Sequence, residues 1–289
     1  MSVLLADYSQ FQERVNWNIA AEKLDGAWIR ATQGMDDVDD KLFENVEGSS
    51  RKDLYRGFYH VYKSAYTGIG QGKFFLNHLP AQYELPCIID VEIPDTIGNF
   101  SEYERRLREL LLYVEVHTGK RPLIYTNYDF WTNNLSGRLW ASQYSLFIAF
   151  YGNYPPLIPA DWSNWLFWQY TDSGSGPTYG ASSAYIDLNR FNGNSRQFEY
   201  FVRKANSNSP MPREEYLKWT VVCPASVTDE QKQKAINYAL NRGRTFSFSY
   251  DSADWGIGEL LYLDSGIHNE FVNWYNLNYP NTKVIFSSI

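Results

Sequence analysis

The chain has 289 residues, 26 basic and 33 acidic side chains, a net charge of -7, and 44% hydrophobic and 17% aromatic residues. That is enough for one large domain and a small one, or for one barrel with an extension. No block of Lys and Arg stands out, which argues against a nucleic-acid partner, and no run of ~18 apolar residues offers a membrane span.

Apolar runs recur along the chain, each closing on polar residues. They are Val3 to Tyr8, Gly26 to Thr32, Gly57 to Tyr62, Cys87 to Ile93, Pro122 to Thr126, Leu146 to Tyr151, Leu166 to Thr171 and Tyr185 to Asn189. Most are near-continuous, as for parallel strands covered on both faces. Helical patterns near Asn18 to Leu24 and Lys41 to Leu54 lie between them. The clearest helix runs from Ser101 to about Thr118, with Ser101 and Glu104 as a capping box and Leu107, Leu110, Leu111 and Val114 as one stripe. Gly119 closes it and Pro122 prevents its return. Gly68-Ile69-Gly70-Gln71-Gly72 reads as a turn before Phe74 and Phe75, not as a phosphate loop. The later connections are rich in Pro, Gly and Ser. The fold expected is an α/β, (β/α)8-like barrel with a thinned helical second half.

The barrel should end near Ala205, with 206–213 as a linker. Residues 214–289 then form a small α+β domain. Helices are expected over Thr228 to Asn241 and Ile267 to Tyr279, and strands over Tyr216 to Val222, Thr245 to Tyr250 and Lys283 to Phe286. Cys87 and Cys223, the only cysteines, make neither a disulfide framework nor a zinc site. The opening residues lack the basic and apolar regions of a signal peptide.

Asp90 and Glu92 end the fourth run and share one face, because side chains two apart on a strand point the same way. Two carboxylates on one face repel, so one should hold its proton more tightly. A raised carboxyl beside an ionised one is the equipment for cleaving a glycosidic bond. Asp7 ends the first run and Asp187 falls in the eighth, so both can face the same mouth in a closed barrel. Tyr59, Tyr125, Trp168 and Tyr170 also sit at strand ends, where aromatic planes suit sugar rings. His60 is alone and reads as a packing residue. No histidine pair at metal spacing and no Gly-x-Ser-x-Gly elbow occurs. The chemistry expected is hydrolysis by carboxylates without a cofactor.

These residues resemble the glycoside hydrolase family 25 lysozymes, the Chalaropsis type found as phage endolysins. Asp7-Tyr8-Ser9-Gln10-Phe11-Gln12 matches the family's Asp-x-Ser-x-x-Gln, followed by Val15-Asn16-Trp17. Arg30-Ala31-Thr32-Gln33-Gly34 resembles its second-strand signature, with Gln33 where Glu is commoner. Phe43 with Asn45, Gly57 to His60, Asp90-Val91-Glu92, Ile124-Tyr125-Thr126, Trp165 to Thr171 and Ile186 to Asn189 match further motifs in the family's order. Phe147 stands where Trp is usual.

The resemblance covers about residues 1 to 200 and implies an N-acetylmuramidase acting on bacterial peptidoglycan. It implies Glu92 as general acid, its proton held by the field of Asp90 and Asp187. It implies Asp7 and Asp187 as the acids that activate water or stabilise the oxocarbenium-like centre, and Tyr59, Tyr125 and Trp168 as sugar contacts. It implies a protein made in a host cytoplasm and released to the cell wall, or one carried on the virion. A chitinase-like hydrolase lacks support, because Cys87-Ile88-Ile89 fills the place of that group's extra acids. A barrel that binds peptidoglycan without cutting it is the other reading, against which all four acids stand. The last domain matches no family known to us. Wall binding is expected for it by analogy, with oligomerisation as the alternative.

Overall fold

The apolar runs of the first two hundred residues become strands that close on themselves. In this computed structural model they are β1 (Ser2–Tyr8), β2 (Gly26–Gln33), β4 (Tyr55–Val61), β5 (Ile88–Asp90), β6 (Leu123–Asn127), β7 (Leu146–Ala149), β8 (Phe167–Ser175) and β9 (Tyr185–Asn194). The ring order is β1-β2-β4-β5-β6-β7-β8-β9, and a short β3 (Asp37–Val38) hangs on β2. Helices α1 (Trp17–Lys23), α2 (Leu42–Ser49), α3 (Gly68–Asn77), α4 (Phe100–Thr118) and α5 (Tyr128–Asn134) lie in the first two thirds of the ring, and α6 (Ser195–Ser207) follows β9. The structure describes residues 2–94, 100–138, 140–152, 154–207, 217–224, 245–252, 255–261 and 283–288. Among them no helix is long and apolar enough to cross a membrane.

The expected eight-stranded α/β barrel with few helices in its second half is present, with one difference. Seven strands run parallel, but β9 is antiparallel to both β8 and β1. The reason is the connection. A parallel neighbour needs a crossover of a dozen or more residues, whereas β8 turns back through one short 3-10 turn at Gly176–Tyr179. The turn ends at Gly180 with a φ of 86°, a left-handed conformation glycine adopts without strain.

Strand alternation sorts the core into two layers. Val3, Leu5, Trp28, Ile88, Leu123, Phe147, Phe167 and Phe191 fill the barrel, and Phe198 and Val202 of α6 pack with them. The alternate residues, including Ala6, Tyr8, Ile29, Ala31, Ile89, Val91, Ile124 and Ile148, pack with Leu107, Leu110, Leu111 and Val114 of α4. The inner layer is apolar below and polar at the rim, which places the site at one end.

Two local expectations are corrected. The glycine-rich stretch is not a turn but α3, capped by the Thr67 hydroxyl, which accepts from the Gly70 amide at 3.2 Å. Glycine is a poor helix former, but here it permits contact between helices. A Cβ on Gly68 would overlap the Arg106 carbonyl and lie 2.6 Å from Glu109 Cβ, and one on Gly72 would overlap Tyr113. Gly68→Ala should therefore lower barrel stability by about 1–3 kcal/mol, read as a fall in denaturant midpoint. Ser101 is also not the cap of α4, which starts at Phe100. Glu104 instead accepts from the Trp140 indole at 2.6 Å and pairs with Arg138 at 2.7 Å.

The chain divides into two units, Met1–Pro210 and Met211–Ile289. The second holds one sheet of β10 (Leu217–Pro224), β11 (Thr245–Ser252), β12 (Trp255–Leu261) and β13 (Lys283–Ser288). Its order is β11-β12-β10-β13 and every neighbouring pair is antiparallel. β10 and β11 thus run the same way with β12 between them, and β12 and β13 with β10 between. That is the strand order of two interlocked split β-α-β units. The helices expected at 228–241 and 267–279 lie outside the described residues.

Candidate active site

The rim of the barrel is built by the ends of its strands. Inner-face alternation brings Asp7 from β1, Arg30 from β2, Tyr59 and Val61 from β4, and Asp90 from β5, with Glu92 just beyond. Tyr125 comes from β6, Gln169 from β8 and Asp187 from β9. They line one cavity of about 260 Å³, floored by Ile88 and Phe147 and walled by Phe11 and Gln33. All four acids named from the sequence, Asp7, Asp90, Glu92 and Asp187, are in this lining.

Asp187 reaches the rim by a different route from the other acids. Because β9 is reversed, it stands near the start of its strand and lies directly opposite Asp7 in the β1–β9 register. Burial raises the Asp7 carboxyl to about 7, and the charge of Asp187 adds to this. Gln169 opposes the rise by donating from Nε2 to Asp7 Oδ2 at 2.9 Å. Asn189 beside it is fully buried and also favours the charged form, though without a hydrogen bond of good geometry. Asp187 is raised to about 6 by burial, then by exposed Asp172 and by Glu92.

Asp90 and Glu92 form a coupled pair, and both carboxyls are raised. Asp90 is buried, and burial is the larger cause, followed by Glu92 and Asp7, with Arg30 opposing. Glu92 reaches solvent at the lip of the cavity, yet protein crowds its carboxyl and raises it, against a hydrogen bond with Asn127. Burial, more than the field of its neighbours, is thus the chief cause for Glu92. Two such acids titrate as a unit.

Arg30 is the basic side chain among the lining residues. Its Nη2 donates to Gln33 Oε1 and Asp37 Oδ2, both at 2.7 Å, and its guanidinium lies 5.9 Å from the Phe11 ring centre. Phe11 is held by turn chemistry. Ser9 Oγ accepts from the Phe11 amide, and Gln12 reaches back to accept from the Ser9 amide at 2.9 Å. The Ser and Gln of Asp-x-Ser-x-x-Gln therefore fold the chain over the mouth after β1.

The aromatic candidates divide. Tyr59 and Tyr125 line the cavity. Trp168 and Tyr170 do not: Trp168 is buried in the outer layer, its indole donates to the Phe150 carbonyl at 2.6 Å, and Arg190 covers both rings. The reason is parity. Phe167 and Gln169 face inward on β8, so Trp168 faces outward. That alternation was readable in Trp-Gln-Tyr-Thr and would have pointed to Gln169. Arg30 carried the same signal two residues beyond Trp28, whereas Phe11, in the 3-10 turn Gln10–Gln12 after β1, carried none. His60 packs outside the ring, bonded to Thr32 at 2.8 Å and Gln71 at 3.1 Å. Its burial lowers it to about 4 and keeps it neutral.

The buried acids have a consequence for stability. Asp7 and Asp187 hold protons in the folded barrel up to about 7 and about 6, against about 4 in an unfolded chain. Between those values the folded state binds more protons, so stability falls as pH rises from about 4 through about 7. Asp7→Asn, which carries no charge, should melt above wild type at pH 8. The gap should close towards pH 4, which scanning calorimetry at the two pH values would show.

The converging carboxylates stand at the end of the barrel where such folds carry their chemistry. Residues 6–179 match glycosyl hydrolases family 25, and the chain belongs to that family. It is 32% identical over 203 residues to the uncharacterized protein YegX of Escherichia coli O157:H7, covering 68% of this chain and 72% of that one. It is 25% identical to Lysozyme M1 of Streptomyces globisporus, covering 65% and 67%. Among solved structures, a GH25 lysozyme from Aspergillus fumigatus aligns with a TM-score of 0.61 at 27% identity, covering 70% of this chain and 99% of that one.

Proposed function

We propose that this chain is an N-acetylmuramidase that cleaves the β-1,4 bond between N-acetylmuramic acid and N-acetylglucosamine in bacterial peptidoglycan. The observation that carries this reading is the meeting of Glu92, Asp90, Asp7 and Asp187 in one cavity of a family 25 barrel. The name of the Streptomyces relative supports it.

In this reading Glu92 is the general acid. Burial favours the protonated form of both Asp90 and Glu92 at rest. A sugar filling the cavity strips water from the lip and favours the proton on Glu92, which passes it to the glycosidic oxygen as the C1–O bond breaks. Asp7 and Asp187 come from β1 and β9, across the ring from β5. Once ionised they offset the positive charge that develops at C1 and orient the attacking group, and water supplies the new hydroxyl while a carboxylate of the site takes its other proton. Tyr59, Tyr125 and Phe11 offer faces to the sugar rings.

A cutting barrel followed by a small second unit suits a phage endolysin, made in a host cytoplasm and released to the wall. The second unit is then the wall-binding module. The test is to digest Gram-positive walls with the whole chain, reduce the new ends with borohydride and identify them. Reduced muramic acid supports the reading. Reduced glucosamine moves the cut to the other bond, and no new ends overturns it.

A further inference from the structure

We propose that Gln169 is a positioning residue that presents its amide N–H to Asp7 while its oxygen is held by the hydroxyls of Tyr125 and Tyr151. This rests on the muramidase reading, in which Asp7 faces the reacting carbon.

A side-chain amide fits a cavity either way round, and only its partners decide which end donates. Gln169 is 3% exposed, so protein partners decide. Its Oε1 accepts from Tyr125 Oη at 2.9 Å and from Tyr151 Oη at 2.9 Å. Its Nε2 donates to Asp7 Oδ2 at 2.9 Å. Both phenols are pushed up by burial and by neighbouring acids, so they remain donors at neutral pH. Turned round, the amide would set its oxygen against the Asp7 carboxylate, whereas the phenols donate and accept and fit either end. The carboxylate therefore selects the direction, and the two hydroxyls fill the acceptor end.

The consequence falls on Asp7. One oxygen, Oδ2, is committed as an acceptor. The other, Oδ1, is buried without a hydrogen-bond partner. A proton on Asp7 therefore rides on Oδ1, away from the Gln169 N–H. The two tyrosines come from separate elements. Tyr125 is on β6, while Tyr151 lies beyond the end of β7 and is half exposed. The residue that orients the acid is thus itself held by a strand and by the segment after the next strand.

Other groups also act on Asp7. Asp187 faces it from β9, with Asn189 beside it. Asp90 and Glu92 approach from β5, Arg30 from β2 and Tyr59 from β4, and Tyr8 follows it in the chain. A test must isolate the amide from these.

The experiment compares Gln169→Leu, Gln169→Glu and the double variant Tyr125→Phe with Tyr151→Phe in the whole chain. The Asp7 carboxyl is titrated by carbon-13 NMR without substrate, and kcat and KM are measured on walls between pH 4 and 8. Gln169→Glu keeps the shape and replaces the N–H with an oxygen but brings a second carboxyl against Asp7, so it is read beside Gln169→Leu, which removes the N–H and adds no charge. The Asp7 midpoint should rise by about one pH unit in Gln169→Leu and further in Gln169→Glu. The acid limb of kcat/KM should move the same way, and kcat should fall about tenfold to a hundredfold, more than KM changes. The tyrosine pair removed together should shift the midpoint in the same direction. If all three variants titrate Asp7 as wild type does and leave the acid limb in place, the proposal is overturned. The titration is read without substrate. A wild type that cuts no wall would therefore sink the muramidase reading, while unmoved titrations beside an active wild type would sink this proposal alone.

Discussion

Glu92→Gln should lower the rate of wall cleavage by roughly a hundredfold or more while leaving wall binding in place. Glutamine keeps the length of the side chain and a partner for Asn127, and it removes the transferable proton. Glu92 sits at the solvent-facing lip and not in the packed interior, so the variant should melt close to wild type. The loss should fall on kcat and kcat/KM together, as for an interaction made only in the transition state. Turbidity and new reducing ends, followed side by side for both proteins, give the answer. A variant as active as wild type would place the acid elsewhere. A variant that also fails to bind walls would mean that Glu92 holds the sugar as well as protonating it.

Trp28→Ala should cost the barrel about 3–5 kcal/mol, near the top of what one core truncation does. Trp28 is fully buried inside the ring, with ring centres 5.4 Å from Phe147 and 4.8 Å from Phe167. Its indole N–H donates to the Pro86 carbonyl at 3.2 Å. The space it occupies is shaped for it, since a Cβ on Gly57 would overlap the indole. Truncation would leave a void and an unpaired carbonyl directly below Phe147, which floors the cavity. The denaturant midpoint of the barrel reads the cost, and Trp28→Phe should recover part of it by refilling the void without restoring the hydrogen bond.

The strands and the acids were legible because both follow from short-range rules. Apolar runs that close on polar residues mark barrel strands, and Asp7, Asp90 and Glu92 mark where those strands end. Three features were not legible, for three reasons. The reversal of β9 depends on how tightly residues 176–184 turn, which is a tertiary outcome. The helix α3 hides because glycine lowers local propensity, and its Gly68 and Gly72 are explained only by α4 lying against them. Trp168 was drawn into the site by its chemistry when its parity with Phe167 turns it out. The amide of Gln169 was quoted within a motif, but its partners come from two other strands and a loop, and no spacing in the sequence shows them together.

The reversed last strand also sets an order of events for the growing polypeptide. β1 emerges from the ribosome first, but β9, one of its two neighbours in the ring, is among the last barrel segments to be made. Asp7 and Asp187 meet only across that seam. Closing it joins segments far apart in the chain, a contact of high order that forms slowly and late. A nascent barrel, or one broken off before residue 185, lacks half of the acid pair and the strand that aligns it. The rim therefore has all four carboxylates together only once that seam has closed.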